Sequence, residues 1–190
     1  MLVKQIGNVN VHFGPLIVVI VIALVAMFIR AILLDHKGKR VIELFKSGEY
    51  SRVIVDASQL LKVYQSYAKR AKLKNTSQWI EFLNFALAVS YFSEGNHNNF
   101  LKHIRALEQD NNVKAFWLSL FYLQQEDFDN AKIYYDEIEI GEKTHVNIAF
   151  LDSYLHYKNG DFDTSQEKMK AIYKSLNHPI LKQIADEVLA

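Results

Sequence analysis

One run of apolar positions stands apart from everything else in the chain. From Pro15 to Leu34 it reads PLIVVIVIALVAMFIRAILL, 20 residues with Arg30 as the sole charge. Apolar side chains fall on every side, so a helix here presents no polar face to water. Downstream the pattern changes to helical periodicity with polar interruptions. Val41–Lys46 reads as a short helix broken at Ser47-Gly48, and a long one follows from about Glu49 to Leu73 with Val53, Ala57, Leu60, Leu61 and Tyr64 on one face. The next helix, carrying FLNFALAVSYF, is expected to start at Thr76 or Ser77 as N-cap and to stop at Ser93-Glu94-Gly95-Asn96; another runs to Leu107.

Twenty apolar residues match the roughly 30 Å of a bilayer's hydrocarbon, so Pro15–Leu34 is expected to be a transmembrane helix. A buried core helix is the first alternative, but the unbroken run Leu16–Ile29 is longer than such a helix needs. A cleaved signal peptide is the second, but no small-residue cleavage pattern follows. Pro15 suits a first helical turn, and Arg30 lies near enough to the end to extend toward headgroups. Lys4 alone precedes the span, whereas Arg30, Lys37, Lys39 and Arg40 lie at its far end. That bias predicts a cytoplasmic location for everything after it. The expected division is an outer tail (1–14), the span (15–34), a basic juxtamembrane joint (35–40) and one helical domain (41–190), contacting the bilayer through residues 15–34.

Two later stretches align without gaps at an offset of 34 residues: LSLFYLQQEDFDNAKIYYDEI from Leu118 and DSYLHYKNGDFDTSQEKMKAI from Asp152. Each reads as a helix, a tight turn around Asp-Phe-Asp, and an amphipathic helix. A fixed period of this size marks stacked hairpins that cover one another's apolar faces. The residues resemble tetratricopeptide (TPR) repeats. The matching positions are Leu118, Ser119, Tyr122, Glu126-Asp127-Phe128, Ala131 and Tyr135 in the third unit. In the second they are Leu87, Ala88, Tyr91, Gly95-Asn96-His97, Phe100 and Ile104; in the fourth, Asp152, Ser153, His156, Gly160-Asp161-Phe162, Ser165 and Met169. The first unit keeps only Gly48-Glu49-Tyr50 and Ala57. Phe100 departs from the family's small residue and Asp152 from its large apolar one.

The resemblance implies an all-α solenoid of about four hairpins, with Pro179 onward (Ile180, Ile184, Val188) as a capping helix. It also implies a groove lined by the first helix of each unit. The positions that would bind a protein or peptide partner at the membrane are Phe82, Phe85, Val89, Phe92, Phe116, Leu120, Leu123, Phe150, Tyr154 and Tyr157. The Lys and Arg residues with which some family members grip a terminal carboxylate have no counterpart there. The same stripe is also what helix-packing core looks like, and both readings stand at this stage.

Charge and chemistry narrow the function. From residue 36 onward 20 basic and 20 acidic residues balance, so nucleic acid is not an expected partner. Cysteine is absent, which removes disulfides and thiolate sites. The seven histidines (12, 36, 97, 103, 145, 156, 178) show no metal spacing and are expected on surfaces and turns, so neither metal nor cofactor is expected. Asp127/Asp129 and Asp161/Asp163 recur with the repeat and read as helix caps rather than acid–base pairs. Gly141-Glu142-Lys143-Thr144 lacks the glycine spacing of a phosphate loop. The expectation is a non-enzymatic, membrane-tethered scaffold or adaptor. A non-catalytic subunit or homo-oligomer whose groove is filled is the alternative, and an enzyme of envelope metabolism the more distant one.

Overall fold

The computed structural model describes the backbone of residues 3–6, 9–12, 14–70, 74–108, 111–139 and 146–190. Within these it describes side chains from residue 22 on, except at 23, 28, 30, 70, 74 and 75. The chain divides into two compact units, Met1–Arg40 and Val41–Ala190.

In the first unit, β1 (Val3–Ile6) pairs antiparallel with β2 (Val9–His12), Val3 opposite His12 and Ile6 opposite Val9. The stretch read as a tail thus carries a two-stranded ribbon. Helix α1 begins at Gly14 and continues to Lys46, 33 residues without a break. Asp35–Arg40, expected as a joint, is therefore helical, and Lys39 pairs with Asp35 one turn back at 2.7 Å. Ile22, Leu24, Val25, Met27, Ile29, Ile32 and Leu33 are all more than half exposed. Among the described residues no helix is long and apolar enough to cross a membrane; the side chains of Pro15–Val21 lie outside them.

The second unit is entirely helical among its described residues. The last turns of α1, with Val41 and Leu44 buried, are followed by α2 (Tyr50–Arg70), α3 (Lys74–Ser93), α4 (His97–Arg105), α5 (Asn111–Gln124), α6 (Phe128–Glu137), α7 (Val146–Lys158), α8 (Phe162–Ile172), a 3₁₀ turn (Tyr173–Ser175) and α9 (Pro179–Leu189). Helix α3 starts before the expected Thr76/Ser77 cap: Thr76 lies inside it and is buried. Within hairpins α3 packs on α4, α5 on α6 and α7 on α8; between them α2 meets α3, α4 meets α5 and α5 meets α7, and α9 lies on α7 and α8.

Four helix–helix joints share one geometry. Gly48, Gly95, Glu126 and Gly160, with φ of 76°, 68°, 61° and 81°, are the described residues with positive φ. At each, the next residue's N–H reaches the carbonyl five back: Glu49 to Leu44 (3.0 Å), Asn96 to Tyr91 (2.8 Å), Asp127 to Tyr122 (3.0 Å) and Asp161 to His156 (2.9 Å). These are left-handed helix stops that satisfy the last carbonyls. In the last three the same residue then caps the next helix, its side chain accepting from the N–H of Asn99, Asn130 or Thr164.

First and second helices differ in how much they bury. Seven consecutive residues of α5, Ala115–Phe121, are buried, whereas α6 buries only Ala131 and α8 only Ser165 and Met169. The core accordingly lies mainly along α3, α5, α7 and α9; α6 and α8 flank it, while α4 sends Phe100 and Ile104 into it.

Candidate functional site

The hairpins close through small residues. Ser119 Oγ donates to the Ala131 carbonyl at 2.9 Å, and Ser153 Oγ to that of Ser165 at 2.8 Å. Both partners lie 12 positions on. The same interval joins Tyr91 to His103 (stacked, 5.7 Å), Tyr122 to Tyr134 (stacked, 5.5 Å) and His156 to Lys168 (Nε2 to Nζ, 2.9 Å). This register sets which side chains face inward.

Most of the expected groove faces the core. Val89, Phe92, Phe116, Leu120, Leu123, Phe150 and Tyr154 are all buried, the most exposed, Phe92, at 7%. Partly open rings are therefore not found at these seven positions, because neighbouring elements cover them. Phe92 packs on Phe100 and Trp117, each at 5.4 Å. Ile180, Leu181, Ile184, Ala185 and Val188 of α9 belong to the same cluster as Phe116, Phe150 and Tyr154. Burial holds the Tyr154 hydroxyl up at about 12, with Glu187 adding to the shift.

Phe82, Phe85 and Tyr157 stay half-buried. Phe82 and Phe85 join an aromatic chain that periodicity alone does not reveal: Tyr64 stacks on Trp79 (5.7 Å), Trp79 meets Phe82 (5.9 Å), Phe82 meets Phe45 (6.5 Å), Phe45 meets Phe85 (5.8 Å) and Phe85 meets Trp117 (6.3 Å). A cavity of about 310 Å³ opens beside it, lined by Phe85, Val113, Phe116, Trp117, His178 and Leu181 among others.

Two histidines contradict the expectation of surface positions. His103 is buried, its Nδ1 2.9 Å from the Asn84 carbonyl oxygen, whose amide in turn donates to Ile80. Burial lowers its pKa, with Lys102 adding to the effect. His178 lies between Phe45 (5.7 Å) and Trp117 (5.3 Å), and burial lowers its pKa to about 4. The signal that could have marked it is local: it directly precedes a proline at the first position of an apolar helix.

A polar chain crosses the outside of the fourth hairpin. Lys168 Nζ donates to Asp152 at 2.6 Å and to His156 Nε2, while His156 Nδ1–H donates to Asp161 at 2.9 Å. These contacts tie Asp152, Lys168, His156 and the capping Asp161 into one chain across the turn. Asp127 and Asp161 act as the caps read from sequence. Among the described residues no group of three or more histidines and carboxylates could hold a metal ion. Gly141–Thr144 and His145 lie outside the described residues, as does the side chain of His12. Comparison with family models, with curated proteins and with solved structures gives no match to this chain.

Proposed function

We propose that this chain is a membrane-tethered scaffold whose helical hairpins, TPR-like in register, hold a partner protein beside the bilayer. The observation that carries the reading is the composition of α1. Its Pro15–Leu34 portion is apolar on every side and has the length of a bilayer crossing. Its described apolar side chains are open, yet Val41 and Leu44 at its other end sit in the hairpin core. Tethering raises the effective concentration of the hairpins toward other membrane proteins. The four matching turns and the 12-residue register support the repeat reading. The basic flank Lys37, Lys39 and Arg40 supports a cytoplasmic hairpin domain.

A second reading, a subunit whose groove is filled, is favoured by α9, which lies on α7 and α8 and shares a cluster with Phe116, Phe150 and Tyr154. Affinity recovery of the full chain from detergent-solubilised membranes, with mass spectrometry and light scattering, distinguishes them. A scaffold brings down a different protein in fixed stoichiometry; a homo-oligomer gives a multiple of its own mass. Recovery of a lone monomer in every mild detergent contradicts both. Orientation is testable because the chain has no cysteine: Glu167→Cys, on the exposed face of α8, should resist an impermeant thiol reagent until cells are lysed.

A further inference from the structure

Among the described residues, the buried side-chain polar atoms without a hydrogen-bond partner belong to Tyr50 and His178: one hydroxyl and both imidazole nitrogens. Both residues stand against one ring, Phe45, at 6.1 and 5.7 Å between centroids. The segment bearing His178 leaves α8 through the 3₁₀ turn and arrives beside the first hairpin. A Cβ at Gly48 would come within 3.9 Å of Pro179 Cβ, an ordinary contact. On its other side His178 meets Trp117 of α5. The segment Leu176–Pro179 therefore bridges the first and third hairpins across the first-helix face, and α9 continues over α7 and α8.

This seat is poorly matched to its occupant. An imidazole in an aromatic box forgoes two hydrogen bonds, and burying a polar group without a partner opposes the contact that buries it. His178 occupies the N-cap position of α9 but makes no capping bond there. Two clefts open to solvent, of about 310 and 520 Å³, adjoin the ring, the second lined by Phe45, Val146, Ser175 and Pro179 among others. The α9 contacts beyond it are apolar packing of Ile180, Leu181, Ile184 and Val188, with the Tyr173 hydroxyl donating to Asp186 at 2.6 Å. Attachment is thus sound along the helix and weak at its root.

We propose that Leu176–Leu189 is a strap that covers the first-helix face, opens while the hairpins stay folded, and is replaced there by a partner segment of its own chemistry. Such a segment carries a ring, then a proline at the first helical position, then branched aliphatic residues one turn apart. This deepens the scaffold reading and rests on it for the identity of the face.

Native-state hydrogen exchange on the full chain tests the opening. Amides of α9 should exchange at least tenfold faster than those of α5, through an event that leaves α5–α8 protected. Exchange of α9 only together with α5 overturns the proposal. A labelled synthetic peptide spanning Leu176–Ala190 tests replacement. It should bind the full chain saturably, at least tenfold more tightly to His178→Asp, whose own strap is weakened, and at least tenfold more weakly to Phe45→Ala. Should either variant fail to fold, the unaltered chain decides: saturable binding with displacement of α9 from protection supports the strap, and absence of binding despite α9 opening overturns replacement. Exchange needs neither anchor nor partner, so its failure leaves the scaffold reading standing, and failed partner recovery leaves the strap standing.

Discussion

Ser153 and Ser165 exchange hydrogen bonds across the fourth hairpin: each hydroxyl donates to the other's carbonyl, at 2.8 and 2.9 Å. Both residues are fully buried. The arrangement brings α7 and α8 together at a point where neither helix has room for a larger side chain. One hairpin earlier Ser119 and Ala131 occupy the same positions with one such bond.

Removing one hydroxyl and adding bulk should therefore differ in outcome. Ser153→Ala loses a single donor and should cost about 1 kcal/mol. Ser153→Leu forces the helices apart and should cost several times more, in line with overpacked cores. Urea midpoints of the full chain in detergent measure both. Equal losses would mean that the helices do not approach closely there.

The turns offer a test in the stabilising direction. Glu126 holds φ at 61°, a region where its sister turns have glycine. A non-glycine residue in the left-handed region is strained by about 1 kcal/mol, so Glu126→Gly should raise stability by roughly that amount. Its ion pair to Lys158 is long, at 3.8 Å, and exposed at the glutamate, so little is lost with it. Gly160→Ala should lower stability by a similar amount, since a Cβ there meets nothing within 4 Å and only φ resists it. Unchanged melting in both variants would count against the shared geometry.

Phe116 separates groove from core. It is 5% exposed, so Phe116→Ala should destabilise by about 3–5 kcal/mol, as large truncations in cores do. A loss below about 1 kcal/mol, with folded protein that no longer recruits its partner, would restore Phe116 to an open groove.

The acid limb of stability should report His178. Its pKa falls from 6.5 to about 4 through burial. Between those values the unfolded chain binds more protons than the folded one, so stability is full above about pH 6.5 and declines as pH falls toward 4. The loss is on the order of 2–3 kcal/mol, and His103, lowered in the same direction, adds to it. His178→Phe should flatten this decline in denaturant titrations run from pH 7 to 4. An equally steep decline in that variant would assign the proton uptake elsewhere.

Much of the hairpin architecture was legible because its signals are local. Gly48, Gly95 and Gly160 mark left-handed stops, Asp127 and Asp161 mark caps, and the 34-residue offset aligns Ser119 with Ser153. Boundaries set by competing preferences were less so: Lys74–Thr76 joins α3 although Ser77 looks like a start, and Gly38 stays helical within α1. The candidate groove was legible as a stripe but not as buried or open. A first helix looks the same in sequence whether its inner face meets solvent or a strap. What decides burial is where residues 176–189 go, and that depends on contacts from His178 to Phe45 and Trp117 that no periodicity encodes.

Anchorage of the hairpins in a bilayer through Pro15–Leu34 is open to direct measurement. Membranes from cells making the full chain can be washed with alkaline carbonate and floated through a density gradient. The anchored chain should rise with the lipid and leave it only when mild detergent is added. A chain released into the carbonate supernatant, or remaining at the bottom of the gradient while lipid floats, would contradict it.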